Sequence, residues 1–199
     1  MSFQTIVDIQ QSMTVNNRRT VGQQYSRSGQ VTVAQYLTAV PWVFTIRPHN
    51  YLYYPQVRDI IQSIDNADRQ VPEYITFDSA NLDWFTKMQG TATSATLAST
   101  PVTNTQTLSL TSNGTFKAGD FIEVGGYVYK VTADSAGSTV YINRPLIGNP
   151  VSGATVTLGK DVSFNVVAEK CPTYTLTPMA NGAFVNWDDE FVFREYITE

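Results

Sequence analysis

Alternation with a period of two dominates the chain. Phe121, Ile122 and Val124 run into Gly125-Gly126. Tyr127, Tyr129 and Val131 then share one face, with Val128 and Lys130 on the other. This pattern predicts half-buried strands, and a glycine pair tolerates the positive φ angles of a tight hairpin turn. Residues 134–138 break the run, and Val140 and Ile142 begin a third strand that Pro145 ends. Residues 116–146 therefore predict an antiparallel meander able to curl into a small barrel. Thr107 to Thr111 and Ala154 to Leu158 add further strands. Residues 91–106, rich in Thr, Ser, Ala, Pro and Asn, read as a linker with little core material.

The flanks are more aromatic. Residues 30–36 alternate, and Trp42, Phe44 and Ile46 share one face, which predicts a hairpin between these two runs with Trp42 in the core. Pro55 opens a helix in which Val57, Ile60, Ile61 and Ile64 form one apolar stripe. That stripe needs a sheet to cover, and the Trp42/Phe44/Ile46 face is the expected partner. Residues 74–77 and 82–88 predict two more strands. Val162, Phe164 and Val166 alternate, as do Phe191 and Phe193, which share a face with Glu195. Residues 1–29 are polar. They read either as an arm ordered by a neighbour or as a hairpin centred on Asn16-Asn17-Arg18-Arg19. The fold class expected is mostly β, with an α+β host: an antiparallel sandwich-like domain with one helix, plus an inserted OB-like barrel. Residues 1–90 and 160–199 form the discontinuous host, and residues 91–159 the insertion.

Composition narrows this picture. The chain has 199 residues, of which 42% are hydrophobic, enough for a core. Only 15% are charged, against a usual value of about 25%, which suits a surface packed against neighbours. The net charge of −4 argues against nucleic acid as a partner, since phosphate binding wants a basic face. No apolar run is long enough to span a membrane, and the first residues lack the pattern of a signal peptide, so cytoplasmic synthesis is expected. Charge is also unevenly placed. Between Asp8 and Asp59 the ionised side chains are Arg18, Arg19, Arg27, Arg47 and Arg58. From Asp161 onward seven acids face Lys170 and Arg194. The basic front and acidic back either meet inside one fold or dock head to tail between copies, with Arg18, Arg19 and Arg27 against Asp188, Asp189 and Glu190.

No specific catalytic motif emerges. His49 is the sole histidine and Cys171 the sole cysteine, so the usual metal and acid–base sets lack their parts, and no metal or cofactor is expected. Asp188-Asp189-Glu190 beside Trp187 is the one acidic cluster that suggests glycoside hydrolysis, but adjacent residues point in different directions, and a solvated turn is the simpler reading. Gly119 and Gly125-Gly126 lack the following helix that a phosphate-binding loop requires. Tyr127, Tyr129, Tyr141 and Trp187 are candidate stacking platforms for a glycan.

Lys117-Ala118-Gly119-Asp120-Phe121-Ile122, Tyr127-Val128-Tyr129-Lys130-Val131-Thr132, Val140 to Ile142 and Pro145-Leu146 resemble a β-module found in tail proteins of bacteriophages. The arrangement is similar to the distal tail proteins of long-tailed phages, which combine a ring-forming domain with a small barrel of oligonucleotide/oligosaccharide-binding type. The flanks match that family only in element order. The resemblance implies a non-enzymatic virion protein, a hexameric ring at the tail tip or baseplate hub. Its partners would be the tail tube protein, tail-tip proteins and fibres, with nucleic acid met only in an axial channel. The alternative it leaves open is a carbohydrate-binding module or adhesin of the tail.

Overall fold

The computed structural model of the chain describes residues 2–18, 40–65, 71–79, 82–135 and 138–198, together with the backbone of residues 21–25 and 31–35. Helix α1 (Ser2–Asp8) leads into strand β1 (Gln10–Asn16), then a ribbon of β2 (Val21–Tyr25) and β3 (Val31–Gln35). Strand β4 (Val43–Pro48), the two-residue β5 (Leu52–Tyr53), helix α2 (Tyr54–Asp65) and β6 (Glu73–Thr76) follow. The middle of the chain supplies β7 (Ala95–Leu97), β8 (Thr107–Ser112), β9 (Phe121–Val124), β10 (Tyr127–Lys130), β11 (Thr139–Tyr141) and β12 (Thr155–Leu158). The last strands are β13 (Ser163–Lys170), β14 (Tyr174–Met179), β15 (Gly182–Trp187) and β16 (Phe191–Glu195). The fold is mostly β, with one main helix and curled antiparallel sheets.

Five strands form the first sheet, in the order β1-β4-β16-β13-β6, all neighbours antiparallel. Its strands come from both ends of the chain, which the period-two runs 42–46, 162–166 and 191–195 make possible by presenting apolar side chains to one face. Phe44, Phe164 and Phe193 are all fully buried. Rings interlock across the strands: Phe44 meets Phe164 edge-on at 4.9 Å, and Phe3 of α1 stacks on Phe193 at 4.9 Å. Aromatic pairs of this kind add about 0.5–1.5 kcal/mol to the area they bury.

Helix α2 forms where the isoleucine stripe places it, with Val57, Ile61 and Ile64 buried and Pro55 in its first turn. Its neighbours differ from those expected. It packs against α1, β15 and β5, while α1 lies over β4 and β6. The reason is that Phe3, Ile6 and Val7 form a second apolar stripe, one turn long in sequence and easily missed, and all three are buried. Residues 2–16 are therefore built into the core and the first sheet rather than left as an arm.

Three other expectations need correction. Residues 31–35 pair with 21–25, not with 43–48, and β4 is flanked by β1 and β16 instead. Residues 82–86 are a turn with Phe85 N–H donating to the Leu82 carbonyl, because Leu82 and Phe85 are needed on one side to cap the aromatic core. Residues 91–106, read as a linker with little core material, contribute a strand. Ala95–Leu97 is a strand, and Ala92, Ala95 and Leu97 are buried.

The second sheet runs β10-β9-β12-β7-β8-β11. Gly125 and Gly126 sit at φ +62° and +82°, the left-handed angles that the β9–β10 turn requires. The third strand of the predicted meander does not lie on β10 for its length. It pairs with β8, and a single bridge from Val131 to Ile142 brings the two ends of the sheet together. Thr132 N–H donates to the Tyr141 carbonyl (2.9 Å) and Asn143 N–H to the Lys130 carbonyl (3.0 Å), closing a small barrel around Leu108, Phe116, Ile122, Tyr129 and Val140. A third, smaller sheet, β14-β15-β5, lies beside α2.

Candidate functional site

The most concentrated polar chemistry lies where the barrel meets the five-stranded sheet. Strand β10 buries one side chain on each face. Tyr129 points into the barrel core, whereas Val128 joins the aromatic core of the other sheet together with Phe121. Phe121 packs against Trp42 at 5.5 Å and Phe85 at 4.9 Å. Between these apolar contacts lies an ion pair with no access to water. The Arg144 side chain is 1% exposed and the Glu195 side chain 2%. Their fork-to-fork geometry is bidentate, Nη1 to Oε2 at 2.5 Å and Nη2 to Oε1 at 2.6 Å.

The surrounding groups extend the network, while Arg144 Nε is buried without a partner. Arg144 also donates to the Val40 and Val128 carbonyls, each at 2.8 Å, and its guanidinium sits 5.1 Å from the centre of the Tyr129 ring. Glu195 Oε2 accepts the Trp42 backbone N–H at 3.0 Å, and the Trp42 indole N–H donates to the Val128 carbonyl at 2.9 Å. Burial pushes the Tyr129 hydroxyl up to about 12, and that hydroxyl accepts the Ile147 N–H at 2.9 Å. Elsewhere along the seam, Glu123 accepts from the Ser163 N–H and hydroxyl, and the Tyr127 hydroxyl bonds with Thr198. Sequence reading placed Glu195 on one face with Phe191 and Phe193 but did not pair it with Arg144, 51 residues away. The only signal available was a lone Glu in phase with Phe191 and Phe193.

A cleft of about 600 Å³ opens beside this seam, between the 82–88 turn and the β7–β12 ladder. Asp83, Lys87, Lys160 and Asp161 stand around it over a floor that includes Met88 and Leu158. It holds no nucleophile–base pair. Among the described residues no three His, Cys, Asp or Glu side chains gather as metal ligands, and no helix is long and apolar enough to cross a membrane.

The residues singled out from sequence are dispersed. Asp188 accepts the hydroxyls of Thr173 and Thr175, Asp189 is bound by Lys170, and the half-buried Glu190 gives its N–H to Asp189. The three carboxylates therefore do not converge as a hydrolytic pair. Arg18 is exposed, with its N–H on the Asn16 side chain, while Arg19 and Arg27 lie outside the described residues. Among the described residues no salt bridge joins the basic front to the acidic back. Glu169 pairs with Arg194, and Lys170 with Asp189. Two of the candidate glycan platforms lie in cores. Tyr129 is fully buried, Trp187 is 8% exposed against Tyr174 and Phe191, and the Tyr127 hydroxyl is engaged by Thr198. Period-two tyrosines packed here because a six-stranded barrel this small needs large side chains to fill it. Tyr141 alone of the four stays open, at 51%.

No protein-family model matches the chain, and no curated protein matches it in sequence.

Proposed function

We propose that the chain is a structural protein of a bacteriophage virion, a ring-forming subunit of the tail tip or baseplate hub that connects the tail tube to tip proteins or fibres. The observation that carries this reading is the welded seam. A closed barrel and a helix-backed sheet are held in one orientation by a bidentate ion pair buried to the last few per cent. Buried charge pairs are costly and add little net stability, but they reward one geometry over its alternatives. A part that transmits position between neighbours needs that property. The likeness of residues 117–146 to the phage module supports the same reading, as does a ribbon, β2–β3, that joins neither large sheet.

Assembly is the mechanism. Copies join head to tail into a closed ring, most simply a hexamer, with the barrel facing outward as a docking surface. The carbohydrate-binding alternative loses support from the burial of Tyr129 and Trp187. Light scattering on size-exclusion fractions and electron micrographs of the purified protein test the proposal. Rings with a mass near six chains are expected, and a strict monomer at tens of micromolar counts against autonomous assembly.

A further inference from the structure

The two edges of the five-stranded sheet are treated differently. On the β6 side the edge is closed: α1 packs on it, and the Gln4 side chain accepts the Thr76 N–H at 2.8 Å and donates to the Thr76 carbonyl at 3.1 Å. On the other side β1 pairs with β4 and, among the described residues, nothing pairs with its outer edge. Proteins blunt such edges with charge or proline. The outer strand of the small sheet, β14, carries Pro178, but residues 10–16 contain neither. At each end of the open edge an enclosed polar atom has no partner: Gln10 Oε1, an acceptor, and Asn17 Nδ2, a donor. A groove of about 310 Å³ runs beside the strand, walled by Asp8, Met13, His49, Leu82 and Trp84. Trp84 is 67% exposed.

The same chain carries a strand pair without a sheet. β2 and β3 pair residue for residue from Val21↔Gln35 to Tyr25↔Val31 and belong to no larger sheet. A two-stranded ribbon is marginal alone in water. Four residues separate β1 from β2, enough for β2 to fold back on β1, yet among the described residues β2 does not pair with that edge. The ribbon segment 17–39 contains Arg18, Arg19 and Arg27 and no acid, and the groove beside β1 offers Asp8.

We propose that the β2–β3 ribbon of one copy adds to the free edge of β1 in a second copy, with Trp84 and the groove receiving its flank. Backbone hydrogen bonds supply the affinity, Arg18 and Asp8 the orientation. This contact is heterologous, the kind that closes a ring. It rests on the ring reading and names the surface that makes it.

The test uses the full chain, followed by sedimentation velocity and by hydrogen exchange of amides 11–16 over a concentration series. Thr14→Lys adds charge to an exposed edge position, and Trp84→Ala removes the groove wall; neither side chain is in a core. Exchange at 11–16 should slow as copies associate. Each variant should raise the concentration needed for assembly about tenfold with unchanged melting temperature. Excess synthetic peptide of residues 20–36 should disperse the assembly. Assembly with no change at 11–16, or undiminished by Thr14→Lys, overturns the contact and leaves the ring. A monomer in which the amides of 11–16 that do not bond β4 also exchange slowly means that the ribbon folds back on its own β1, which overturns the second-copy partner. A monomer with fast exchange there removes both the contact and the ring.

Discussion

Removing one member of the Arg144–Glu195 pair should destabilise the protein more than any substitution on its surface. In Glu195→Ala the guanidinium stays 1% exposed and loses both of its carboxylate bonds, and the Trp42 N–H loses its acceptor. Breaking one side of a buried pair costs about 3–5 kcal/mol, a large part of the roughly 5–15 kcal/mol that holds a typical domain together. Replacing both residues with apolar ones, Arg144→Met with Glu195→Leu, removes the stranded charge but not every orphan. The Val40 carbonyl and the Trp42 N–H lose their partners, at about 1–3 kcal/mol each. The Val128 carbonyl keeps the Trp42 indole. The double variant should therefore be no worse than either single one, giving a strongly non-additive cycle. Urea unfolding followed by tryptophan fluorescence and by circular dichroism measures it. Because the pair joins the barrel to the sheet, the two probes should also separate in Glu195→Ala, with protease cutting first near the crossings at residues 88–92 and 158–163. If either single variant costs less than about 1 kcal/mol, as an exposed pair would, or if the costs add, the reasoning about a dry, shared network is wrong.

Other expectations follow from single contacts. Gly90→Ala should cost about 3 kcal/mol, read as a lowered melting temperature, since a Cβ there would overlap the Thr115 carbonyl and lie 2.9 Å from Phe116 Cα. Gly126→Ala meets nothing within 4 Å and suffers only its φ of +82°, so about 1 kcal/mol is expected; equal losses at both sites would refute the steric account. Asp120→Asn should lower stability by about 1–3 kcal/mol in thermal melts, because its fully buried carboxylate accepts the N–H groups of Gln89, Gly90 and Lys117. In alkali the Tyr129 hydroxyl ionises at about 12 when folded and near 10 when unfolded. The unfolded chain thus releases its proton first, so stability is intact below pH 10 and declines toward pH 12 by about 1.4 kcal/mol per unit. Tyr129→Phe should flatten that decline in urea titrations. Lys170→Ala should leave the melting temperature nearly unchanged, because its bond to Asp189 is half exposed.

Local pattern was enough to locate most strands, the glycine turn at 125–126 and helix α2, because each depends on the side chains of a few adjacent residues. Phe191, Phe193 and Glu195 were legible as one face for the same reason. It failed where an element is too short to show a period, as with α1 and β7, or where two runs compete for one partner, as with residues 31–35 and β4. Nothing adjacent in sequence says which of two equally alternating strands a third will choose.

The candidate site lies wholly on the far side of that divide. Composition, alternation and the lone cysteine and histidine determined a β-rich chain without an evident catalytic motif. Tertiary structure alone decided that Arg144 meets Glu195, that Tyr129 and Trp187 are packing rather than platform, and that among the described residues nothing pairs with the outer edge of β1. The physical reason is that a buried charge is tolerable only beside its counter-charge. The partner is fixed by how sheets close in space, which separation along the chain does not encode.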